Sequence, residues 1–202
     1  MQADSPKLIL ASASTARRAV LAAAGLRFDV RPAAVDEAAI KRAARSEGLD
    51  ATAAALRLAD AKAADIARQE PRALVIGADQ ILTCDGAWFD KPADLAAARR
   101  QLQALRGRPH ELATAVVCRA GEHLRWQHAA LPRLTMRAFS EAFLDVYLAT
   151  EGERVLGSVG AYRLEGPGVQ LFERVDGEHT AILGLPLLPL LGFLRDAGLV
   201  WR

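Results

Sequence analysis

Residues 73–83, ALVIGADQILT, form an apolar run with the carboxylate of Asp79 and the amide of Gln80 set in its middle. Such a run reads as a strand, and a carboxylate inside it is expensive to bury unpaired. Two arrangements satisfy Asp79. It can accept backbone donors at a strand end, or the strand can deliver it into a cleft, with Gly77 and Ala78 leaving room for a ligand or metal. Alternation along a regular strand sends Asp79 and Gln80 to opposite faces, so both meet one ligand only near a strand end or a bulge.

The stretch LILASASTARR, residues 8–18, supplies the opposite charge. Leu8, Ile9 and Leu10 read as a short buried strand, and Ser12, Ser14 and Thr15 are residue types that cap a following helix. With Ser14 as the N-cap, Arg17 takes the third helical position. A capping box would place Glu or Gln there, and the helix dipole disfavours a cation by about 0.3–1 kcal/mol. A phosphate over the helix start reverses that sign. Without one, Arg17 and Arg18 are two solvated surface arginines.

With 202 residues, 51% of them hydrophobic, the chain can bury a core as one large domain or two small lobes. Its charge of +2 comes from 26 basic and 24 acidic residues interspersed along the chain, with no polybasic tail of the kind that binds nucleic acid in bulk. Aromatics at 5% also argue against an RNA-binding surface built on stacking. Cys84 and Cys118 fit neither a C-x-x-C motif nor a disulfide framework, so a reducing cytoplasm is expected. The first apolar stretch is too short for a secretory signal. The longest, Ala181 to Leu194, falls short of a membrane span and is broken by Pro186, Pro189 and Gly192; it reads as a strand end followed by a terminal helix.

The remaining pattern alternates helices and strands. RRAVLAAAG predicts a helix closed by Gly25, and RFDVRP a strand beside the first, ending at Pro32. Residues 33–71 predict two alanine-rich helices broken at Gly48 and Asp50, the first opening at Asp36 and Glu37. A turn at Asp85 and Gly86 brings Lys91 back towards the 73–83 strand. Helices follow from Asp94 to Gly107 and from Ser140 to Gly152. HELATAVVCR and the segment around LRWQHAALPRLTMR predict two antiparallel strands turning at Ala120 and Gly121. The glycine-rich GSVGAYRLEGPG, 157–168, is a candidate binding loop.

Hydrolysis of a phosphoanhydride needs charge neutralisation on the phosphates, a hard divalent cation held by oxygen, and a group that orients water. Ser12, Ser14, Arg17, Arg18, Asp36, Glu37, Lys62, Asp79 and Lys91 can supply these. Each also has a plainer reading: Asp36 and Glu37 suit a helix dipole, and Lys62 sits in the mixed-charge pattern of a solvated helix face. No P-loop or G-x-G-x-x-G motif is present. His110, His123, His128 and His179 lack metal-ligand spacing. The residues alone stop at a phosphate-handling enzyme.

LILASASTARR, VDE at 35–37, LADAKA at 58–63, GADQ at 77–80, DKP at 90–92, GRPHE at 107–111, GAYRLEGPG at 160–168 and GLPL at 184–187 resemble, in order and over nearly the whole chain, the Maf family of nucleoside triphosphate pyrophosphatases. The resemblance implies an α/β, Maf/ITPase-like fold: a mixed twisted sheet flanked by helices, with two lobes around a deep cleft and no separable linker within 1–202. It implies a cytoplasmic enzyme, often a homodimer, acting on a nucleoside triphosphate, with no membrane or nucleic-acid partner. The products are the monophosphate and pyrophosphate, and the cofactor is Mg²⁺, with Mn²⁺ or Co²⁺ as alternatives. Carried over by position, the catalytic aspartate falls on Asp79, its acidic partner and fellow metal ligand on Glu37, the basic phosphate-binding positions on Arg17, Lys62 and Lys91, and the phosphate-loop serines on Ser12 and Ser14. Three specificity positions match Ala16, Gln80 and Glu165. Gln80 and Glu165 resemble the branch acting on 7-methyl-GTP, whose cationic base a carboxylate favours. Ala16 departs from it, since that branch carries a tryptophan there and alanine cannot stack on a base. Thr15 stands where proline is usual, and Asp90 where glycine is frequent. The family also suggests a different role, a nucleotide-binding regulator of cell division or septum formation without turnover.

Overall fold

A computed structural model describes residues 2–201. β1 (Leu8–Leu10), α1 (Thr15–Ala23) and β2 (Asp29–Val30) make the expected strand–helix–strand unit, with β1 and β2 parallel. β2 is short, because Pro32 has no N–H with which to extend a ladder. α2 (Glu37–Ser46) and α3 (Ala51–Gln69) begin where their caps dictate: Asp36 accepts from Ala39 N at 2.8 Å and Asp50 from Ala53 N at 2.7 Å. β3 (Leu74–Cys84) runs parallel to β1 and turns through Asp85 and Gly86 into antiparallel β4 (Ala87–Phe89). Then come α4 (Leu95–Leu105), β5 (Pro109–Ala120), β6 (His123–Ala130), β7 (Arg133–Met136), α5 (Glu141–Glu151), β8 (Phe172–Asp176), α6 (His179–Ile182) and α7 (Leu187–Asp196). The strands are ordered β2-β1-β3-β5-β7-β8, with β4 on β3 and β6 on β5, a mixed sheet of the expected α/β class.

Two local expectations change. The segment from Leu124 to Met136 is two strands, β6 and β7, because Leu131 and Pro132 interrupt the ladder and each piece pairs with a different part of β5. The apolar segment after Gly177 opens with the short helix α6 in place of a strand end. Glu178 fixes that bend, its carboxylate accepting from Leu187 N and Leu188 N at 3.1 and 3.0 Å and so serving the start of α7. The glycine-rich loop is wound into 3₁₀ turns at Gly152–Gly157, Val159–Ala161 and Pro167–Leu171.

The chain divides into two compact units. One takes the chain up to Gln80, Thr114–Ala130 and the chain from Glu178; the other takes Ile81–Ala113 and Leu131–Gly177. In the first, Leu8, Leu10, Leu21, Ile76, Val116, Leu190 and Leu194 form a core. Alanines 55, 59 and 63 of α3 are fully buried; small side chains on a helix face allow its backbone to approach a neighbour closely. In the second unit, Leu102, Leu105, Leu134 and Met136 are buried beside an aromatic cluster of His110, Tyr162 and Phe172. His110 Nε2 lies 2.9 Å from the Tyr162 hydroxyl.

Burial pushes His110 down to about 4. The unfolded chain takes up this proton near pH 6.5 and the folded chain only near 4, so the neutral ring stabilises the fold fully above pH 6.5 and that contribution is lost as pH falls towards 4. The loss is of order 3 kcal/mol. Urea titrations of the wild type and His110→Gln across pH 4–7 test this: the wild type should lose more stability over that range than the variant, and parallel curves would contradict it.

Candidate active site

The site begins where β1 gives way to α1. Ser14 caps the helix, accepting from Arg17 N at 3.3 Å, so Arg17 occupies the third helical position as the sequence predicts. Its side chain is not solvated: Arg17 is buried, its Nε donating to the Gly184 carbonyl at 2.8 Å and its Nη1 to Ser12 Oγ at 3.1 Å. Arg18, by contrast, is exposed. Ser12 Oγ also accepts from Ser14 N at 3.3 Å, which closes the loop on itself. Burial lowers the Arg17 pKa, and the fields of Asp79 and Glu37 oppose that shift. The cation at a helix N-terminus is thus held by a carbonyl and a hydroxyl, within the field of two carboxylates. Gly184 has φ +96°, and a Cβ there would lie 3.2 Å from Arg17 Nε, so this position favours glycine on both counts.

Opposite charge enters from β3 and α2. A Cβ on Gly77 would lie 2.8 Å from Ala63 N and closer still to the Ala59 carbonyl. The room beside Gly77 is therefore filled by the backbone of α3, and Ala78 is fully buried in the core. This corrects the expectation that these two residues leave space for a ligand or metal. The close approach seats Lys62, between Ala59 and Ala63 in sequence, over the neighbouring Asp79. Lys62 Nζ donates to Asp79 Oδ1 at 2.6 Å and lies 2.9 Å from Glu37 Oε1. The Lys62 and Asp79 side chains are 9% and 7% exposed and that of Glu37 is 49%, so the ammonium ties a half-open carboxylate to a closed one. Asp79 Oδ2 is buried without a hydrogen-bond partner. An orphan anionic oxygen of this kind is rare in folded proteins because its desolvation is uncompensated.

Gln80 points the other way, as strand alternation requires. Its Nε2 lies 2.8 Å from Thr114 Oγ1 and 3.1 Å from the carbonyls of both Ala181 and Ile182. Carbonyls only accept, so the amide nitrogen must face them, and Oε1 is the end left to present. Ala16 is half-buried at the second position of α1.

Ser12, Arg17, Glu37, Lys62 and Asp79 are thus brought into one charged cluster of the first unit, with Ser14 at its cap and Gln80 on the other face of β3. Lys91 and Glu165 belong to the second unit. Lys91 is exposed beyond β4, and Glu165 is exposed with Oε1 3.3 Å from Arg163 Nε. Two contributors carried no assigned role in the sequence, the Gly184 carbonyl and the Thr114 hydroxyl. GLPL marks the first, whereas nothing local distinguishes Thr114 from any threonine in a strand. Among the described residues no three His, Cys, Asp or Glu are grouped to hold a metal ion, and no helix is long and apolar enough to cross a membrane.

A family model described as Maf-like protein matches residues 7–197. The chain is 57% identical over 190 residues to a protein named nucleoside triphosphate pyrophosphatase in Granulibacter bethesdensis, covering 94% of this chain and 96% of that protein. It is 52% identical to a protein of the same name in Paramagnetospirillum magneticum, covering 94% and 98%. It is 47% identical over 195 residues to one named 7-methyl-GTP pyrophosphatase in Rhizobium meliloti, covering 96% and 98%.

Removing the ammonium leaves Asp79 buried without its hydrogen-bonded counter-charge. Lys62→Met should therefore lower the unfolding free energy by about 3–5 kcal/mol, and adding Asp79→Asn should recover most of the loss. Urea denaturation of the two variants measures both values; equal stability of Lys62→Met and wild type would contradict the pairing.

Proposed function

Because the chain belongs to the Maf-like protein family, matched over residues 7–197, we propose that it hydrolyses a nucleoside triphosphate to the monophosphate and pyrophosphate. One observation carries the reading: Asp79 shares Lys62 with Glu37 and keeps one buried oxygen unpartnered. A structural ion pair would satisfy both oxygens. An acceptor held ready for a ligand, a water or a metal would not.

The roles follow from the groups present. Arg17, fixed by Ser12 and Gly184, keeps guanidinium N–H groups for phosphate oxygens beside the N–H groups at the start of α1. Ser12 Oγ accepts two bonds and retains its own O–H to donate. Lys62 holds Asp79 and Glu37 in register, and Asp79 Oδ2 accepts a proton from the water that attacks phosphorus as the anhydride bond to pyrophosphate breaks. The charges of Arg17, Lys62, Asp79 and Glu37 cancel, so a polyphosphate calls for a further cation. The donor set suits a hard divalent ion such as Mg²⁺, which takes one or two carboxylates and completes its shell with water and phosphate. Asp79 and Glu37 would hold it, and when bound it neutralises phosphate charge. The free, buried Cys84 and Cys118 support a reducing, cytoplasmic setting.

For the base, Glu165 favours a cationic one, which suits 7-methyl-GTP, while Ala16 contributes no stacking surface. Incubation with Mg²⁺ and a panel of 7-methyl-GTP, GTP, UTP, dTTP and ITP tests the reading by product identity. Pyrophosphate is expected, with kcat/KM for 7-methyl-GTP about two- to fivefold above that for GTP, the range of a part-exposed charge contact. Orthophosphate, or tight nucleotide binding without turnover, would overturn it. Asp79→Asn should lower kcat by about 10²–10⁴-fold, the range for loss of a general base, and unchanged turnover would remove Asp79 from its role.

A further inference from the structure

Helix α5 ends on a carboxylate buried more deeply than Asp79. The side chain of Glu151 is 1% exposed, and its position at a helix C-terminus is unfavourable for an anion. Its partners are two arginines. Arg163 Nη1 donates to Oε2 at 3.1 Å, and Arg154 Nη2, on a side chain 60% exposed, lies 3.5 Å from Oε1. The closer arginine does not end there, since Arg163 Nε also donates to Glu165 Oε1 at 3.3 Å. One guanidinium therefore spans a closed carboxylate and an open one.

The backbone around Arg163 is fixed independently of this charge chain. Gly166 N donates to the Arg163 carbonyl at 3.3 Å, and a Cβ on Gly168 would fall 2.8 Å from Arg163 N and nearer still to its carbonyl oxygen. The turn thus folds back onto Arg163 closely enough to require glycine at 168. On its N-terminal side, Tyr147 of α5 donates to the Ala161 carbonyl at 3.2 Å, and Tyr162 is buried. Nothing about the stability of α5 calls for a buried glutamate in its last turn. What Glu151 does is hold the Arg163 fork at a set position, and through it the carboxylate two residues along.

We propose that Glu151 and Arg163 are positioning residues for base selection: Glu151 anchors Arg163, and Arg163 holds the Glu165 carboxylate in place while Glu151 keeps part of its charge engaged. This rests on the reading of Glu165 as the group that favours a cationic base. Without the buried carboxylate, Arg163 pairs with Glu165 alone, and both the placement and the free negative charge of Glu165 are lost. The consequence is loss of discrimination between bases that differ in charge.

The measurement is the ratio of kcat/KM for 7-methyl-GTP to that for GTP, two substrates that share the triphosphate and differ in the charge on the base. Glu165→Gln is expected to bring the ratio close to one. Glu151→Gln should lower it towards one, by no more than the factor lost in Glu165→Gln, through KM for 7-methyl-GTP, and Glu151→Asp should restore part of it. In a Glu165→Gln background, Glu151→Gln should change the ratio no further, an outcome that a purely structural role would not produce. Arg163→Lys keeps the charge, loses the fork, and serves as the second variant should Glu151→Gln fail to fold; it too should lower the ratio. If Glu165→Gln moves the ratio while Glu151→Gln and Arg163→Lys leave it at the wild-type value, the positioning role is overturned and the reading of Glu165 stands. If Glu165→Gln does not move it, both fall.

Discussion

The ammonium of Lys62, lodged between Asp79 and Glu37, is the contact on which the first unit's charged cluster depends. Ion pairs taken out of water repay their desolvation only when geometry and counter-charge are good. Here one cation serves two anions at 2.6 and 2.9 Å, and Arg17 adds a second positive charge whose own burial those anions offset. The arrangement leaves Asp79 with an acceptor it cannot satisfy internally. A cluster optimised for stability alone would not stop there.

Backbone geometry makes that contact reachable. α3 lies on β3 at Gly77, where no side chain could fit, and the fully buried alanines 59 and 63 flank Lys62 in sequence. At the other pole, the left-handed Gly184 turns its carbonyl onto Arg17. Two glycines, one for proximity and one for backbone conformation, thus set the two cations. The alanine-rich composition of α3, which by itself suggests only helix propensity, is part of how a lysine comes to be buried beside a strand.

What was legible in the sequence was mostly local. Ser14, Asp36, Asp50 and Ser140 cap the helices they precede, because capping is decided within a few residues. Apolar runs gave the strands, and the misplaced arginine at the start of α1 pointed to an anion. Less legible were features decided at long range. Arg17 is buried by a carbonyl 167 residues away, and α6 with the bend before α7 is held by the Glu178 carboxylate. The sense of Gly77 also depended on a partner, the backbone of α3, which the strand pattern does not reveal. Motif order over the whole chain identified the family where no single contact could, and Ala16 is where that pattern and the base preference diverge.

In the proposed reaction the Asp79 cluster directs water to the phosphorus bearing the nucleoside. Hydrolysis in oxygen-18 water, followed by mass spectrometry of the products, reports which phosphorus is attacked. The expected result is one labelled oxygen in the nucleoside monophosphate and unlabelled pyrophosphate. Label in pyrophosphate, or in orthophosphate released from the far end of the chain, would contradict it.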